Sequence, residues 1–135
     1  MSDVLTKLRN YFNLFDGTSK SLIEHRDVID SVIDEKIKFV TPKGEINHIQ
    51  FIERIRALLD NGTKVEVLEM NIHDLGVEYR IRKIIPGQEK LEFHSIGVVE
   101  AGKLVRVVPF SYIESHDKFF LKNQEEYSTE EVVGV

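Results

Sequence analysis

A chain of 135 residues, 41% hydrophobic and 30% charged, is long enough to bury one core without covalent staples. Its net charge of -5, with Lys and Arg interspersed among Asp and Glu, argues against the concentrated basic surface that nucleic acid or an anionic membrane favours. The absence of cysteine excludes disulfides, thiolate metal sites and cysteine nucleophiles.

Residues 3–16 are predicted to form an amphipathic helix. Leu5, Leu8, Phe12 and Phe15 recur at helical spacing with Val4 and Tyr11 beside them, Ser2 or Asp3 supplies a cap, and Gly17 suits the end. A second helix is expected from about Ser21 to Ser31, with Leu22, Val28, Ile29 and Val32 on its apolar side. Alternation over 36–41 predicts a short strand carrying Ile37, Phe39 and Thr41, ended by Thr41-Pro42-Lys43-Gly44. A third helix is expected over 47–60, with Ile49, Ile52, Ile55, Leu58 and Leu59 inward and Asn61-Gly62 closing it. From there the period falls to two. Strands are predicted over 64–73, 77–85, 90–99 and 103–113, with turns at Pro86-Gly87 and at Glu100-Ala101-Gly102-Lys103. Residues 1–114 then form one domain and 115–135 an acidic tail with an apolar patch, Lys118-Phe119-Phe120-Leu121. No run approaches the ~20 apolar residues of a membrane span, and no secretory signal is visible, so a cytoplasmic location is expected.

The resulting fold class is α+β: three N-terminal helices packed on a curved, mostly antiparallel sheet, a cone that encloses a pocket. Three segments carry a family resemblance. They are Tyr11-Phe12-Asn13-Leu14-Phe15-Asp16-Gly17 at the end of the first helix, Ile37-Lys38-Phe39-Val40-Thr41-Pro42-Lys43-Gly44, and the hairpin from His94-Ser95-Ile96-Gly97-Val98-Val99 to Leu104-Val105-Arg106. In this order of elements the chain resembles the nuclear-transport-factor-2-like superfamily, which includes ketosteroid isomerases and polyketide cyclases of the SnoaL type. The resemblance implies a cone with a central pocket and a homodimer joined through the outer sheet face; an outer face bearing Leu91, Phe93 and Val105 would favour such a dimer. It also implies positions for the isomerase machinery. Tyr11 falls at the tyrosine donor, His94 at the donor acid, and Thr41, just before Pro42, at the catalytic base. Threonine has no basic state near neutral pH, so proton abstraction by that route is lost.

If His94 faces the pocket, alternation and pairing across the Pro86-Gly87 turn bring Arg80, Arg82, Glu78 and Glu92 to the same wall. That wall would bind an anion such as a small carboxylic acid, and the resemblance implies a parallel in the similarly arginine-lined pockets of kinase-association domains in the superfamily. The simpler reading of the same residues is cross-strand ion pairs on a solvated face, with Val77, Tyr79, Leu91 and Phe93 turned to the core, and a slip of one residue inverts every assignment. Tyr11, Phe39, Thr41, Phe51, Ile55, Arg80, Glu92 and His94 are thus the candidate pocket residues, with Met70 a further apolar one. The five histidines lack metal-ligand spacing, so no metal and no cofactor is expected. Two functions fit: a non-catalytic small-molecule-binding or association module, or a small lyase or isomerase acting on a carbonyl compound. In the second, Tyr11 and His94 hold an oxyanion and Glu92 or Glu78 is the base.

Overall fold

The computed structural model describes residues 2–111, so the acidic tail at 115–135 lies outside the described residues. Helix α1 spans Ser2–Asn13 and buries Val4, Leu8, Tyr11 and Phe12 along one side. It ends about one turn earlier than the apolar spacing suggests, because Leu14 and Phe15 bond back to the carbonyls of Tyr11 and Phe12 in a tighter turn. Phe15 remains buried, and its carbonyl accepts from the amide of Val65, which ties the end of α1 to the sheet. The second helical segment is a single 3₁₀ turn, Ile23–His25, followed by the short α2, Arg26–Val32.

Strand β1 spans Ile33–Thr41, longer than the alternation indicates, and Pro42-Lys43 is the turn of a hairpin into β2, Gly44–Ile46. Helix α3 spans His48–Asp60. Asn47 accepts from the Gln50 amide while the Gln50 side chain accepts from the Asn47 amide, a reciprocal cap that fixes where the helix begins. Phe51, Ile52, Ile55 and Leu59 are buried, but Ile49 is 74% exposed in the first turn and is not an inward residue. Only α1 and α2 precede the first strand; α3 follows the β1–β2 hairpin, so the three helices are not all N-terminal to the sheet. No helix among the described residues is long and apolar enough to cross a membrane.

Four strands complete the sheet: β3 Lys64–His73, β4 Gly76–Ile84, β5 Leu91–Glu100 and β6 Lys103–Pro109. They form an antiparallel meander, and β6 then pairs in parallel with β1, giving the order β2-β1-β6-β5-β4-β3. The parallel junction joins the early strand to the meander. Register breaks in β1–β6, β3–β4 and β5–β6 supply the extra twist a strongly curved sheet needs.

The two faces of this sheet differ. Val77, Tyr79 and Ile81 of β4 pack with Leu8, Tyr11 and Phe12 of α1 and with Phe51 and Ile55 of α3 in the main core. On the other face Val40, Ile96, Val98 and Val108 form a second cluster, with Leu75, Val105 and Phe110 against it. Close backbone approach at the β3–β4 turn leaves no room for a side chain at Gly76: its φ is +153, and an added Cβ would lie 2.1 Å from the carbonyl oxygen of Gly97. Gly76→Ala is therefore expected to cost about 2–4 kcal/mol in denaturant unfolding, from strain and overpacking. Gly87→Ala, in an open turn with φ +77 and nothing within 4 Å of the added carbon, is expected to cost about 1 kcal/mol.

Candidate functional site

The β4–β5 register assigns the candidate residues to faces. Arg80 is opposite His94, Arg82 opposite Glu92, and Glu78 opposite Ile96, a member of the outer cluster. Residues directly opposite share a face. Arg80, Glu92 and His94 therefore stand on the outer side, away from the helices, and the arginine-lined inner wall is corrected to an outer charge lattice. Arg82 lies 3.2 Å from Glu92 and 3.9 Å from Glu66, Arg80 lies 3.7 Å from Glu69, and Arg106 pairs with Glu45. The His94 Nε2 is 2.7 Å from a Glu78 carboxylate oxygen, and its ring stacks on Phe110 at 4.1 Å and 9°. The more exposed of these pairs, those of Arg80 and Arg82, contribute about 0.2–1 kcal/mol each, enough to favour the register without fixing a ligand.

The other candidates fall on the helix side. Phe39 stacks on Phe51 with centroids 5.3 Å apart, and Ile55 is buried near them. Tyr11 meets Phe12 at 5.2 Å and Phe15 at 5.5 Å, and Phe12 meets Tyr79 at 5.2 Å. These rings belong to the main core between the sheet and the helices. Thr41 is buried at the β1–β2 turn, where its hydroxyl donates to the Gly44 carbonyl at 2.8 Å and accepts from the Lys43 amide. It shapes the hairpin that the sequence leaves as a simple stop.

At the centre of the inner face sit two phenols. Tyr79 hydrogen-bonds with the hydroxyl of Ser95, which lies directly opposite it on β5. Tyr11 is only 7% exposed, and among the described residues its hydroxyl has no hydrogen-bond partner. Burial holds both phenols well above their ordinary pKa, and for Tyr11 the nearby Tyr79 adds to it. Both thus remain protonated at any physiological pH and can donate a proton in a hydrogen bond but not accept one as a base. Among the described residues the other buried polar side chains are Thr41, Thr63 and Ser95, all hydroxyls. No group of three side chains able to hold a metal ion occurs among the described residues.

Further along the same face, β4 carries Lys83 in register with Leu91 of β5 and Val65 of β3. Its ammonium lies 4.9 Å from the centre of the Phe93 ring. Desolvation lowers the Lys83 pKa below the usual lysine range, and Arg54 of α3 adds to the shift. The sequence alternation that places Val77, Tyr79 and Ile81 inward also places Lys83 inward, but nothing in it marks a cation as unpaired. An open cleft of about 520 Å³ is bounded by Arg26 and Asp30 of α2, Ile33 and Glu35 of β1, His48 and Ile49 of α3, and Lys103 of β6. Arg26 and Asp30 are paired with each other at 2.9 Å.

Similar folds occur among solved structures. A candidate ketosteroid isomerase from Kribbella flavida superposes with a TM-score of 0.60 at 15% identity, covering 78% of this chain and 75% of that one. An LEH-like epoxide hydrolase from M. tuberculosis gives 0.53 at 15% identity, covering 95% and 96%. A nuclear-transport-factor-2-like protein of unknown function from Exiguobacterium gives 0.51 at 23% identity, covering 76% and 97%. No family model and no curated protein sequence matches the chain. The chain has the nuclear-transport-factor-2-like fold, as its order of elements implies.

Lys83 bears directly on stability. Replacing a largely buried ammonium that lacks a carboxylate partner with an apolar side chain removes a desolvation cost. Lys83→Met is expected to leave the fold intact and raise the unfolding free energy, by about 1 kcal/mol, in a denaturant titration.

Proposed function

We propose that this chain is a non-catalytic small-molecule-binding module that acts as a homodimer, with Tyr11 and Tyr79 as hydrogen-bond donors to a carbonyl-type acceptor on the ligand. The observation that carries this reading is the buried Tyr11 hydroxyl without a partner among the described residues. A buried polar group left unpaired costs about 1–3 kcal/mol, a cost relieved when an acceptor arrives. Two protonated phenols can orient a carbonyl oxygen, but they supply no base.

The lyase or isomerase reading requires Tyr11 and His94 to act together, with Glu92 or Glu78 taking a proton. His94, Glu92 and Glu78 stand on the opposite side of the sheet from Tyr11, and Thr41 is engaged in its turn, which favours binding over catalysis. Similarity to isomerase- and hydrolase-named structures supports a scaffold suited to small molecules without carrying their chemistry over. The homodimer reading rests on the outer face, where exposed Arg80 and Arg82 alternate with Glu66, Glu69 and Glu92, a charge pattern that a two-fold copy of itself can complement, while the apolar cluster on that face is already buried within the chain. Leu91 and Phe93, expected to contribute to that surface, lie on the inner face instead.

Calorimetric titration with 4-phenyl-2-butanone tests the phenol pair. Wild type is expected to bind about three- to tenfold more tightly than Tyr11→Phe, the worth of one hydrogen bond. The variant itself is expected to be as stable as wild type or more so, by about 1 kcal/mol, since it loses an unpaired hydroxyl. Neither protein should accelerate exchange of the ketone's α-protons for deuterium; accelerated exchange that falls in Tyr11→Phe would restore the enzymatic reading. Sedimentation is expected to show a dimer, with Arg80→Glu/Arg82→Glu shifted to monomer, and an unshifted variant would remove the outer face as the interface.

A further inference from the structure

The open cleft at the start of β1 lies where the sheet interrupts its own ladder. Ile33 pairs with Leu104 and Lys38 with Arg106, so the residues from Asp34 to Ile37 stand against Val105 alone. A bulge of this kind re-aims side chains, and bulges recur beside binding sites. The Asp34 carboxylate accepts from the Lys36 amide at 2.8 Å, and the Lys36 ammonium lies 3.9 Å from Glu100. Between these two engaged residues, Glu35 lines the cleft. The parallel seam brings Lys103, the residue before Leu104, to line it as well.

The charges of this cleft are only half matched from within. Arg26 and Asp30 satisfy each other at 2.9 Å. Glu35 and Lys103 have no ion-pair partner among the described residues, neither each other nor a member of the Arg26–Asp30 pair. A simple anion would answer Lys103 and leave Glu35 facing it, and a simple cation would do the reverse. One open carboxylate and one open ammonium around a cleft of about 520 Å³ match a small ligand that carries both signs. Ile33, 3% exposed, and Ile49, 74% exposed, add an apolar lining. Ile49 is held there by the reciprocal Asn47–Gln50 cap, which fixes the first turn of α3.

We propose that this cleft binds a small zwitterion with an apolar side chain, an α-amino acid of the leucine type, its ammonium held by Glu35, its carboxylate by Lys103 and its side chain against Ile49. The site shares no residue with the phenol pair and does not depend on the reading given to Tyr11 and Tyr79.

The test is an NMR titration of the full chain at neutral pH with leucine, with N-acetylleucine, which lacks the ammonium, and with leucinamide, which lacks the carboxylate. Wild type is expected to bind leucine about tenfold more tightly than either analogue, the worth of one charge-assisted hydrogen bond, with the largest amide shifts at Glu35, Ile49 and Lys103. Glu35→Gln is expected to weaken leucine several-fold and leave N-acetylleucine unchanged. Lys103→Met is expected to weaken leucine several-fold and leave leucinamide unchanged. Glu35 is exposed, Lys103 half-buried and neither is paired, so both variants should keep the wild-type unfolding midpoint. Tyr11→Phe should bind leucine as wild type does. No leucine binding, equal binding of all three compounds, shifts confined to residues outside the cleft, or full leucine affinity in either variant would overturn the proposal. Because the ketone titration reads Tyr11 and this one reads Glu35 and Lys103, each can fail without the other.

Discussion

The pleat of β4 decides what each side of the protein is made of. Val77, Tyr79 and Ile81 point one way and Glu78, Arg80 and Arg82 the other, and the neighbours β3 and β5 inherit that division through their register. A slip of one residue would carry three charged side chains into the aromatic core and expose a tyrosine and two aliphatics. The outer ion pairs, individually weak, all act in the same sense: Arg82 to Glu66 and Glu92, and Arg80 to Glu69, are satisfied only in the observed pairing. Hydrophobic burial on one side and charge matching on the other thus specify one register twice over.

The inner side of the same strand carries two polar groups amid apolar packing. The rings around Tyr11, Phe12 and Tyr79 surround a hydroxyl, and further along the strand an ammonium lies over Phe93. Burial acts on the two in opposite directions. It raises the phenol pKa and lowers that of the lysine, so both are pushed towards their neutral forms, and each is restored most readily by a partner that brings its own acceptor or charge.

Much of this architecture is legible in the sequence, and the losses have physical causes. Helix α3 and the four meander strands follow from apolar spacing and turn residues because those signals are local. Strand β2 has three residues, too few to show a period, and the parallel β1–β6 pairing joins distant segments that no local pattern connects. The face assignment of β5 is ambiguous for a specific reason. Its outer side is polar at Glu92 and His94 but apolar at Ile96 and Val98, while its inner side runs from Phe93 through Ser95 and Gly97 to Val99. The small inner residues are dictated by what lies against them: Tyr79 meets Ser95, and a Cβ at Gly97 would come within 2.7 Å of Leu104. Alternation that reverses polarity halfway along a strand can be read either way, and only the neighbours choose. Tyr11 is recognisable from its place at the end of α1, whereas Lys83 is significant only for the partners it lacks.

The parallel seam has a consequence for how the protein acquires its structure. Phe39 pairs with Val107, so β1 waits for more than half of the described chain before it meets the strand beside it. The meander and the β1–β2 hairpin close short loops and can form early, but the seam must bring together ends held apart by everything between them, a slower and entropically dearer event. Until it closes, Ile33, Ile37 and Val40 belong to a strand with one edge open and its apolar side chains uncovered, the kind of surface that recruits chaperones or neighbouring chains during synthesis.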